Sequence, residues 1–196
     1  GHVAAALTGS HSLDLLGQRF LAFHVSGGTT DALLVEPDAE SIIRCQVVGR
    51  SLDLKAGQLI DRVGGMLSLP FPAGPALDEL AQRAVCTYRP RATMRGCDCH
   101  LSGVENQCRD RIQRGDPPEE VARFCLDSIR AALDGMTCAL LDEYGELPLV
   151  YAGGVMSNTL LREHITQTFG GRFAPPAYSA DNAVGIACLC RIAQEG

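Results

Sequence analysis

Three short apolar segments with a hydrophobic pattern typical of β-strands follow residue 18. Each run is rich in β-branched or aromatic residues and ends at Gly, Pro, Asp or Ser. The pattern predicts strands over residues 20–26, 30–36 and 41–49. The first two runs flank the sequence VSGGTTD at residues 25–31. Two glycines between alternating apolar segments are typical of a β-hairpin turn.

The spacing of apolar residues changes to a helical period after residue 50. They recur at intervals of three and four residues at Leu52, Ala56, Leu59, Ile60 and Val63. Ser51 precedes them as a candidate N-cap. A segment rich in Pro and Gly follows, and residues 74–114 look helical or irregular, with no clear strand.

The second half of the chain alternates between helix and strand. Asp116 is a candidate N-cap, followed by prolines and acids suited to a first helical turn. This predicted helix runs to about Tyr144, where Gly145 ends it. The remaining predicted elements are a strand over 147–152, a helix over 157–169, a short strand over 172–174 and a helix over 181–193.

This order of elements predicts an α/β fold with one mixed sheet and helices on its faces. It is the ribonuclease-H-like unit of the ASKHA group, which contains actin, heat-shock chaperones and sugar kinases. We expect a five-stranded mixed sheet in a domain over residues 19–196, with a helical insertion at about 74–115. Residues 1–18 are interpreted as a remnant helix and linker of an upstream domain.

Composition restricts the partners of the protein. The chain has 196 residues, a net charge of −6 and a pI near 5.3, which argues against binding nucleic acid by bulk electrostatics. Six arginines cluster in one region, as a local basic patch or a solvated helix face: Arg89, Arg91, Arg95, Arg109, Arg111 and Arg114. No apolar run approaches the ~20 residues of a membrane span, and the start lacks a secretory pattern, so we expect a cytoplasmic protein without membrane contact.

The nine cysteines are spaced irregularly along the chain. Cys97, Cys99, His100 and Cys108 could form a zinc site, but their spacing lacks the paired ligands typical of one. Reduced structural thiols are the favoured interpretation.

Five stretches carry a resemblance to one family over nearly the whole chain. They are GHVAAAL, HVSGGTTDALLV, SLDLKAGQLIDRVGGMLSLPFPAGPAL, YAGGVMSNTLLRE and YSADNAVGIA, in the order of the family. The chain resembles the tRNA threonylcarbamoyladenosine transferases, once described as M22 metallopeptidases. It is more similar to a divergent, peptidase M22-like branch from clostridial-type bacteria.

The resemblance implies a site for ATP or threonylcarbamoyl-adenylate. VSGGTTD alone fits a plain hairpin or a phosphate cradle, since glycines admit an anion to the backbone and hydroxyls add donors. The resemblance favours the cradle and implies these nucleotide-binding residues: Ser26, Gly27, Gly28, Thr29, Thr30, Asp61, Gly74, Gly153, Gly154 and Asn158. Three of them have ordinary alternatives: Asp61 as a surface ion pair with Arg62 or Lys55, Gly74 as part of a rigid turn, and Asn158 as a helix cap.

The resemblance also implies one divalent metal ion, iron or zinc, held by His2 and Asp181. The family has two histidines four residues apart, a spacing that places both on one helix face. The first would fall before residue 1. The chain is then a fragment, or the first histidine is absent and the metal site is inactive, or Gly1 and His2 are the remnant of an expression tag; the fit of VAAAL to the family favours a fragment. Asp181 also fits a helix N-cap.

Departures from the family pattern weigh against catalysis more than against nucleotide binding. Thr29 stands where the family has His, and neutral residues replace acids around Leu54 and Gln58. A Ser-Gly-Leu-Lys-Thr stretch survives only as residues 102–105. These changes remove polar groups that would face the cleft.

Two functions therefore stay open. The first is transfer of a threonylcarbamoyl group from its adenylate to adenosine in tRNA, with partner subunits supplying basic surface in a homo- or heterodimer. The alternative is a non-catalytic nucleotide-binding paralogue that acts as scaffold or sensor. A carbamoyl- or phosphotransferase of small molecules is a third hypothesis. Protease activity is discounted, because no nucleophile and base or zinc helix with a glutamate is present.

Overall fold

The computed structural model describes residues 2–175 and 183–195. The helices are α1 (His2–Gly9), α2 (Ala56–Met66), α3 (Gly74–Ala81), α4 (Ser102–Gln113), α5 (Pro118–Tyr144), α6 (Thr159–Phe169) and α7 (Ala183–Glu195). The strands are β1 (Phe20–Val25), β2 (Thr30–Asp38), β3 (Ile42–Arg50), β4 (Thr93–Arg95), β5 (Asp98–His100), β6 (Leu149–Ala152) and β7 (Arg172–Phe173). Leu13–Gly17 and Gly154–Ser157 form short 3-10 helices. None of the described helices is long and apolar enough to cross a lipid bilayer.

The main sheet has five strands in the order β3-β2-β1-β6-β7. β1, β2 and β3 form an antiparallel meander, whereas β1 pairs with β6 and β6 with β7 in parallel. This confirms the mixed five-stranded sheet that the order of elements predicts. It also places the carboxyl ends of β1 and β6 side by side, where α/β proteins build their ligand sites.

The two faces of the sheet bury separate apolar clusters, because successive side chains of a strand point to opposite sides. Leu21, Phe23 and Val25 of β1 pack in the larger cluster with α2, α3 and α5. Phe20 and Ala22 face the other way, onto α1 and the first 3-10 helix. Residues 2–17 thus cover one face of the sheet. The division from an upstream domain at residue 18 stays a prediction.

The 27-residue helix α5 is the main support of the larger cluster. Its buried side chains recur at helical spacing, at Val121, Cys125, Ile129, Leu133, Met136 and Leu140. Gly145, with φ of 83°, ends the helix as predicted. Its N-cap is Pro117 and not Asp116, because the residue before Pro118 is held extended. The Asp116 carboxylate instead pairs with Arg111 at 2.9 Å.

Two other predictions in the first half were wrong. α2 begins at Ala56, so Ser51 is not its N-cap; the Ser51 hydroxyl donates to the Leu54 carbonyl at 2.7 Å. The segment predicted to lack strands contains β4 and β5, which form a separate two-stranded sheet. Three-residue strands are too short to show an alternating pattern, so their pairing is decided by contacts elsewhere in the fold.

The arginine cluster is largely a set of paired side chains. Arg109 pairs with Glu105 at 2.9 Å, and the Arg111 guanidinium lies 4.1 Å from the centre of the Phe124 ring. Arg114 joins Arg111 at Asp116. All three arginines have local partners, but only Arg109 and Arg114 are exposed, so the solvated-face interpretation describes these two and not Arg111. Arg89, Arg91 and Arg95 are exposed.

The Asp53 carboxylate joins β5 and α4 to the segment that precedes α2. It accepts the backbone amides of Leu54 at 2.6 Å and Leu101 at 2.8 Å, and the Ser102 hydroxyl at 2.6 Å. Burial opposes ionisation of Asp53, but these hydrogen bonds together hold the pKa of its carboxyl well below the ordinary value. Ionised Asp53 therefore stabilises the folded chain.

We predict that Asp53→Asn lowers the free energy of unfolding by about 2 kcal/mol at pH 7. The asparagine NH₂ replaces one carboxylate oxygen and cannot accept the hydrogen bonds which that oxygen accepts in the wild type. The pKa of Asp53 is depressed by folding, so its contribution is complete above the unfolded value of about 4 and is lost as pH falls through the folded value. Urea unfolding at pH 7 and pH 3 measures this. Asp142→Asn, on the exposed surface of α5, is the control. A difference between wild type and Asp53→Asn that does not shrink at low pH would contradict the role of Asp53.

Candidate functional site

A cleft of about 520 Å³ opens at the carboxyl ends of β1 and β6. The β1–β2 hairpin, α2, α3 and the Gly154–Ser157 turn form its walls. Its lining residues are Gly27, Gly57, Ile60, Asp61, Pro72, Gly74, Pro75, Asp78, Glu79, Gln82, Gly154, Val155, Ser157 and Asn158. The structure thus brings together five of the residues implied by the resemblance: Gly27, Asp61, Gly74, Gly154 and Asn158.

The VSGGTTD segment is a hairpin, as its pattern predicts, with Val25 opposite Thr30. The Ser26 hydroxyl accepts the amides of Gly28 and Thr29 at 3.3 and 3.2 Å, which holds the turn closed. Thr30 is buried, and its hydroxyl accepts the Ala56 amide at 2.9 Å. Ser26 and Thr30 therefore shape the hairpin and its contact with α2, and they do not line the cleft.

Gly57 allows the first turn of α2 to lie directly against the hairpin. Its amide donates to the Ser26 carbonyl at 3.2 Å. A Cβ atom at Gly57 would lie 2.6 Å from Gly27 Cα, closer than real side chains approach a backbone. The contact therefore requires glycine at position 57. It fixes the position of the hairpin relative to α2 at the edge of the cleft.

Gly153 has a corresponding role at the end of β6. Its φ is 100°, and a Cβ there would lie 2.2 Å from the Val25 carbonyl oxygen. Both the backbone angle and the contact exclude other residues. Gly153 therefore holds the turn after β6 against β1, while its neighbour Gly154 faces the cleft.

Asp61 connects α2 to the segment that enters α3. One of its carboxylate oxygens accepts the Ala73 amide at 2.9 Å, which fixes the backbone beside Gly74. The alternative pairing with Arg62 or Lys55 is not formed, because Arg62 pairs with Glu105 at 2.8 Å and Lys55 donates to the Ser51 carbonyl. Asp61 thus faces the cleft with its second oxygen available.

Asp78 is a cleft residue that sequence reasoning missed. One carboxylate oxygen accepts the Thr159 amide at 2.9 Å, and the other is buried with no hydrogen-bond partner among the described residues. A buried acceptor without a partner costs about 1–3 kcal/mol, so it marks a place where a ligand donor would bind. Asp78 lies four residues after Gly74 in a helix, so the two residues share one helix face. Since Gly74 was a predicted nucleotide-binding residue, this spacing could have identified Asp78.

Asn158 is the N-cap of α6, as the ordinary alternative proposed. Its side-chain oxygen accepts the Leu161 amide at 3.1 Å, and the residue is only 8% exposed. It also lines the cleft. The cap uses the oxygen, so the side-chain NH₂ is the group that remains for a ligand.

The two sides of the cleft differ in chemistry: the α2–α3 side carries carboxylates, and the hairpin side is formed by backbone. Asp61, Asp78 and Glu79 place carboxylates on the α2–α3 side. On the hairpin side, the Gly27 amide has no acceptor among the described residues. A Cβ added at Gly27, Gly74 or Gly154 would meet nothing within 4 Å, so packing inside the protein does not explain these glycines. They leave space along the cleft.

His2 and His24 form a stacked pair on the opposite face of the sheet. Their ring centroids are 4.7 Å apart and their planes differ by 15°. Nδ1 of His2 is buried without a hydrogen-bond partner among the described residues, and Nδ1 of His24 lies 2.6 Å from the Thr29 hydroxyl. Burial, reinforced by His2, lowers the pKa of His24. Nδ1 of His2 is thus the ring nitrogen of this pair that remains for a ligand.

The assignment of His2 and Asp181 as metal ligands stays a prediction. Asp181 lies outside the described residues. Within residues 2–175 and 183–195, no three His, Cys, Asp or Glu side chains converge as a metal site, and Cys97, Cys99 and Cys108 are free cysteines. His24 was missed by sequence reasoning. A polar residue at the end of the apolar run LAFHV was the signal.

The chain matches the family model of tRNA N6-adenosine threonylcarbamoyltransferase over residues 2–188. It is 28% identical to a tRNA N6-adenosine threonylcarbamoyltransferase of Bacillus licheniformis, over 99% of this chain and 60% of that protein. It is 33% identical to the protein of the same name from Pelobacter propionicus, over 86% of this chain and 53% of that protein. The chain therefore spans only between half and two thirds of the length of these curated relatives.

Two solved structures share the fold. Component A of (R)-2-hydroxyglutaryl-CoA dehydratase from Acidaminococcus fermentans superposes with a TM-score of 0.55 at 14% identity, covering 94% of this chain and 65% of that one. The activator of 2-hydroxyisocaproyl-CoA dehydratase from Clostridium difficile, with bound ADPNP, gives 0.51 at 10% identity, covering 100% and 69%. These likenesses confirm the ASKHA-type fold and nothing finer.

We predict that Gly57→Ala destabilises the chain by about 1–3 kcal/mol, because the methyl group must push the hairpin away from α2. Gly65→Ala, in the same helix but with open space around its Cβ, is the matched control, and it should be neutral or stabilise by about 0.4–1 kcal/mol. Thermal unfolding of both variants measures the difference. Equal stability of the two would show that the hairpin does not depend on this contact.

Proposed function

The chain belongs to the tRNA N6-adenosine threonylcarbamoyltransferase family, and we propose that its cleft binds an adenine nucleotide in a transfer of the threonylcarbamoyl group to tRNA. One observation carries the proposal. Residues from separate parts of the chain, Gly27, Asp61, Gly74 and Asn158, meet around one cleft. That cleft combines carboxylates with a glycine-rich turn, which is the chemistry that a nucleoside phosphate requires.

The carboxylates suit the ribose of the nucleotide. Each carboxylate accepts several hydrogen bonds, and a vicinal diol provides two donors. Asp78 offers a buried oxygen without a partner, and Asp61 offers the oxygen that does not bind Ala73. Ile60 and Val155 add apolar surface to the same cleft, against which an adenine ring would pack.

The phosphate belongs at the hairpin end of the cleft. Asp61, Asp78 and Glu79 would repel an anion, whereas Gly27 lines the cleft at the hairpin and its amide has no acceptor among the described residues. The charges thus orient the nucleotide in one direction. In threonylcarbamoyl-adenylate, this direction places the reacting carbonyl group beyond the hairpin.

In the proposed reaction, the N6 amine of adenosine attacks the carbamoyl carbonyl carbon. A C–N bond forms, the C–O bond to the adenylate phosphate breaks, and the amine loses a proton as the adenylate leaves. The chain contributes mainly by holding the donor in place and stabilising charge on the phosphate through backbone amides.

The proposed cofactor is one divalent ion, iron or zinc, with His2 and Asp181 among its ligands. The buried, unpartnered Nδ1 of His2 fits such an ion. When bound, the ion would polarise the carbamoyl carbonyl as a Lewis acid.

Binding of tRNA requires basic surface that this acidic chain lacks in bulk. Its net charge is −6, so we propose that partner subunits in a homo- or heterodimer supply most of the phosphate contacts. The exposed residues Arg89, Arg91 and Arg95 would add a local contribution. Because tRNA is the acceptor, we propose that the protein works in the cytoplasm.

We predict that Asp78→Asn weakens the binding of ATP about 10- to 100-fold, since a hydrogen bond to a charged group contributes about 1.5–3 kcal/mol. The asparagine still accepts the Thr159 amide through its oxygen but presents NH₂ to the cleft. Isothermal titration calorimetry measures the affinity. Asp110→Asn, on the exposed surface of α4, is the control. Unchanged affinity in Asp78→Asn would place the nucleotide elsewhere.

Transfer is tested separately from binding. Labelled threonylcarbamoyl-adenylate is incubated with tRNA and the chain, with and without a bacterial extract depleted of its own transferase, which supplies partner subunits. We expect label in tRNA with wild type and much less with Asp78→Asn. A chain that binds ATP but never labels tRNA would be the non-catalytic paralogue.

A further inference from the structure

We propose that residues 89–95 and the cavity beside them bind an unpaired segment of RNA, with phosphates on three arginines and one base in the cavity. The inference rests on the proposed function, in which tRNA is the acceptor, and it names the surface of this chain that receives the RNA. The arginines are Arg89, Arg91 and Arg95, and we call residues 89–95 the arginine strip.

The arginine strip presents its three cations on one side. Exposed and partly buried residues alternate along it, and the exposed ones are Arg89, Arg91, Thr93 and Arg95. This two-residue period is that of an extended chain, in which alternate side chains share a face. At the rise of such a chain, Arg89 and Arg91 are about 6.6 Å apart, and Arg91 and Arg95 about 13 Å. The phosphates of an extended single strand repeat at a similar interval, so the strip can follow an RNA backbone.

Packing against α5 holds the strip in place before any ligand binds. At its start, the Tyr88 amide donates to the Asp127 carboxylate at 2.7 Å, and the Tyr88 carbonyl accepts the Arg130 guanidinium at 2.8 Å. At its end, β4 pairs with β5, and Met94 lies against Gly135 of α5, where a Cβ would be 2.9 Å from the Met94 sulfur. Because the backbone is fixed at both ends, a ligand on the exposed side causes little further loss of entropy.

The three guanidinium groups of the strip are available to an anion. Within the part of the chain that the structure describes, none of them makes an ion pair, unlike the other half of the arginine cluster. The acid across the β4–β5 ladder from Arg95 is Asp98, and its carboxylate accepts the Arg50 amide at 2.8 Å. The whole chain has a net charge of −6, so three exposed arginines on one side are a local exception. Such an exception fits an anionic partner.

A cavity of about 620 Å³ opens beside the strip. Arg91 and Thr93 line it, together with His100, which is the ladder partner of Thr93. The groups that a base could contact include hydroxyl, imidazole and amide groups and apolar side chains: Thr93, His100, Leu101, Val104, Gln107 and Phe124. Apolar surface combined with such polar groups can stack and hydrogen-bond an unstacked base, which is how proteins bind single-stranded RNA.

Asp53 determines which part of the RNA enters the cavity. Its carboxylate lies in the cavity wall, 3.4 Å from Nδ1 of His100, and its hydrogen bonds to the Leu101 amide and the Ser102 hydroxyl keep it ionised. A negative charge there repels phosphate but not a neutral base. The phosphates therefore stay on the strip and a base enters. The same charge disfavours an acidic peptide, whose carboxylates would approach Asp53.

The cavity and the nucleotide cleft are both close to the start of α2. Asp53 lines the cavity, and Gly57 lines the cleft. Four residues of chain join these two positions, so their Cα atoms are at most about 14 Å apart. RNA on the strip would therefore lie within a few nucleotides of a donor in the cleft.

The first test measures binding of a labelled single-stranded RNA of about 12 nucleotides to the full chain, by fluorescence anisotropy at several salt concentrations. The strip variant combines Arg89→Gln, Arg91→Gln and Arg95→Gln. We expect it to bind about tenfold more weakly or worse at low salt. Its plot of log K against log salt should be shallower by about 2, since each phosphate contact of a single strand contributes about 0.7.

The matched control removes the same charge from arginines that are paired with acids. It combines Arg19→Gln, Arg44→Gln and Arg172→Gln, whose partners are Glu36 and Asp14. We expect this control to keep the wild-type salt dependence.

The second test compares the RNA with an abasic strand of the same length and charge. Wild type should bind the abasic strand about 5- to 150-fold more weakly with the same salt dependence, because one stacked base is lost. Ser128→Leu should reduce this difference, because the larger side chain occupies the cavity from α5. The Ser128 hydroxyl donates only to the Phe124 carbonyl of its own helix, so its loss leaves the packing of α5 in place.

Failure of this inference and failure of the proposed function give different results. No RNA binding by wild type, or wild-type affinity in the strip variant, would overturn the RNA site. Equal binding of the RNA and the abasic strand would overturn the placement of a base in the cavity, even if Ser128→Leu does not fold. Polyglutamate that displaces the RNA as well as unlabelled RNA does would show a general anion surface and overturn the assignment to RNA.

ATP binding, measured by calorimetry on the same samples, tests the cleft independently. We expect it to be unchanged in the strip variant, because the three arginines do not line the cleft. A wild type that binds RNA but not ATP would overturn the cleft proposal and leave the RNA site standing.

Discussion

The contact between α2 and the β1–β2 hairpin is the constraint on which the candidate site depends. Gly57 lies against Gly27, and the Ala56 amide donates to the buried Thr30 hydroxyl at 2.9 Å. These contacts fix the hairpin relative to the helix that carries Asp61. Asp61 in turn holds the Ala73 amide, and through it the start of α3. A displacement at Gly57 would therefore reach the turn, the carboxylates and the cleft together, since packed interiors transmit strain.

The central sheet separates two groups of polar residues that one turn connects. On one side, carboxylates and open glycines surround a cleft of about 520 Å³. On the other, His2 at the start of α1 stacks on His24 at the end of β1. β1 serves both sides because its side chains alternate, with Val25 in the larger core and His24 on the opposite face. The hairpin residues divide in the same way: Gly27 faces the cleft and Thr29 bonds to His24.

Much of the fold followed from local pattern. The meander of β1, β2 and β3, the long helix ending at Gly145 and the mixed five-stranded sheet agree with the prediction. The errors lie where local signals were weak or had another use. Ser51 and Asp116 have cap-type side chains, but each binds a different partner. Asp78 and His24 were missed because their importance depends on residues far away in the sequence, Thr159 and His2.

The sequence by itself determined the order of the elements that build the main sheet, the hairpin, and the set of glycines and acids that the family resemblance selects. It did so because turn chemistry and hydrophobic period act over a few residues. Only the tertiary structure decided which of these residues share a cleft, that Ser26 and Thr30 support the turn, and that a strand histidine meets His2. The physical reason is that such contacts join elements distant in sequence, as when Asp53 accepts amides on both sides of the β4–β5 segment. Neither hydrophobic periodicity nor a short motif predicts contacts between residues so far apart in the sequence.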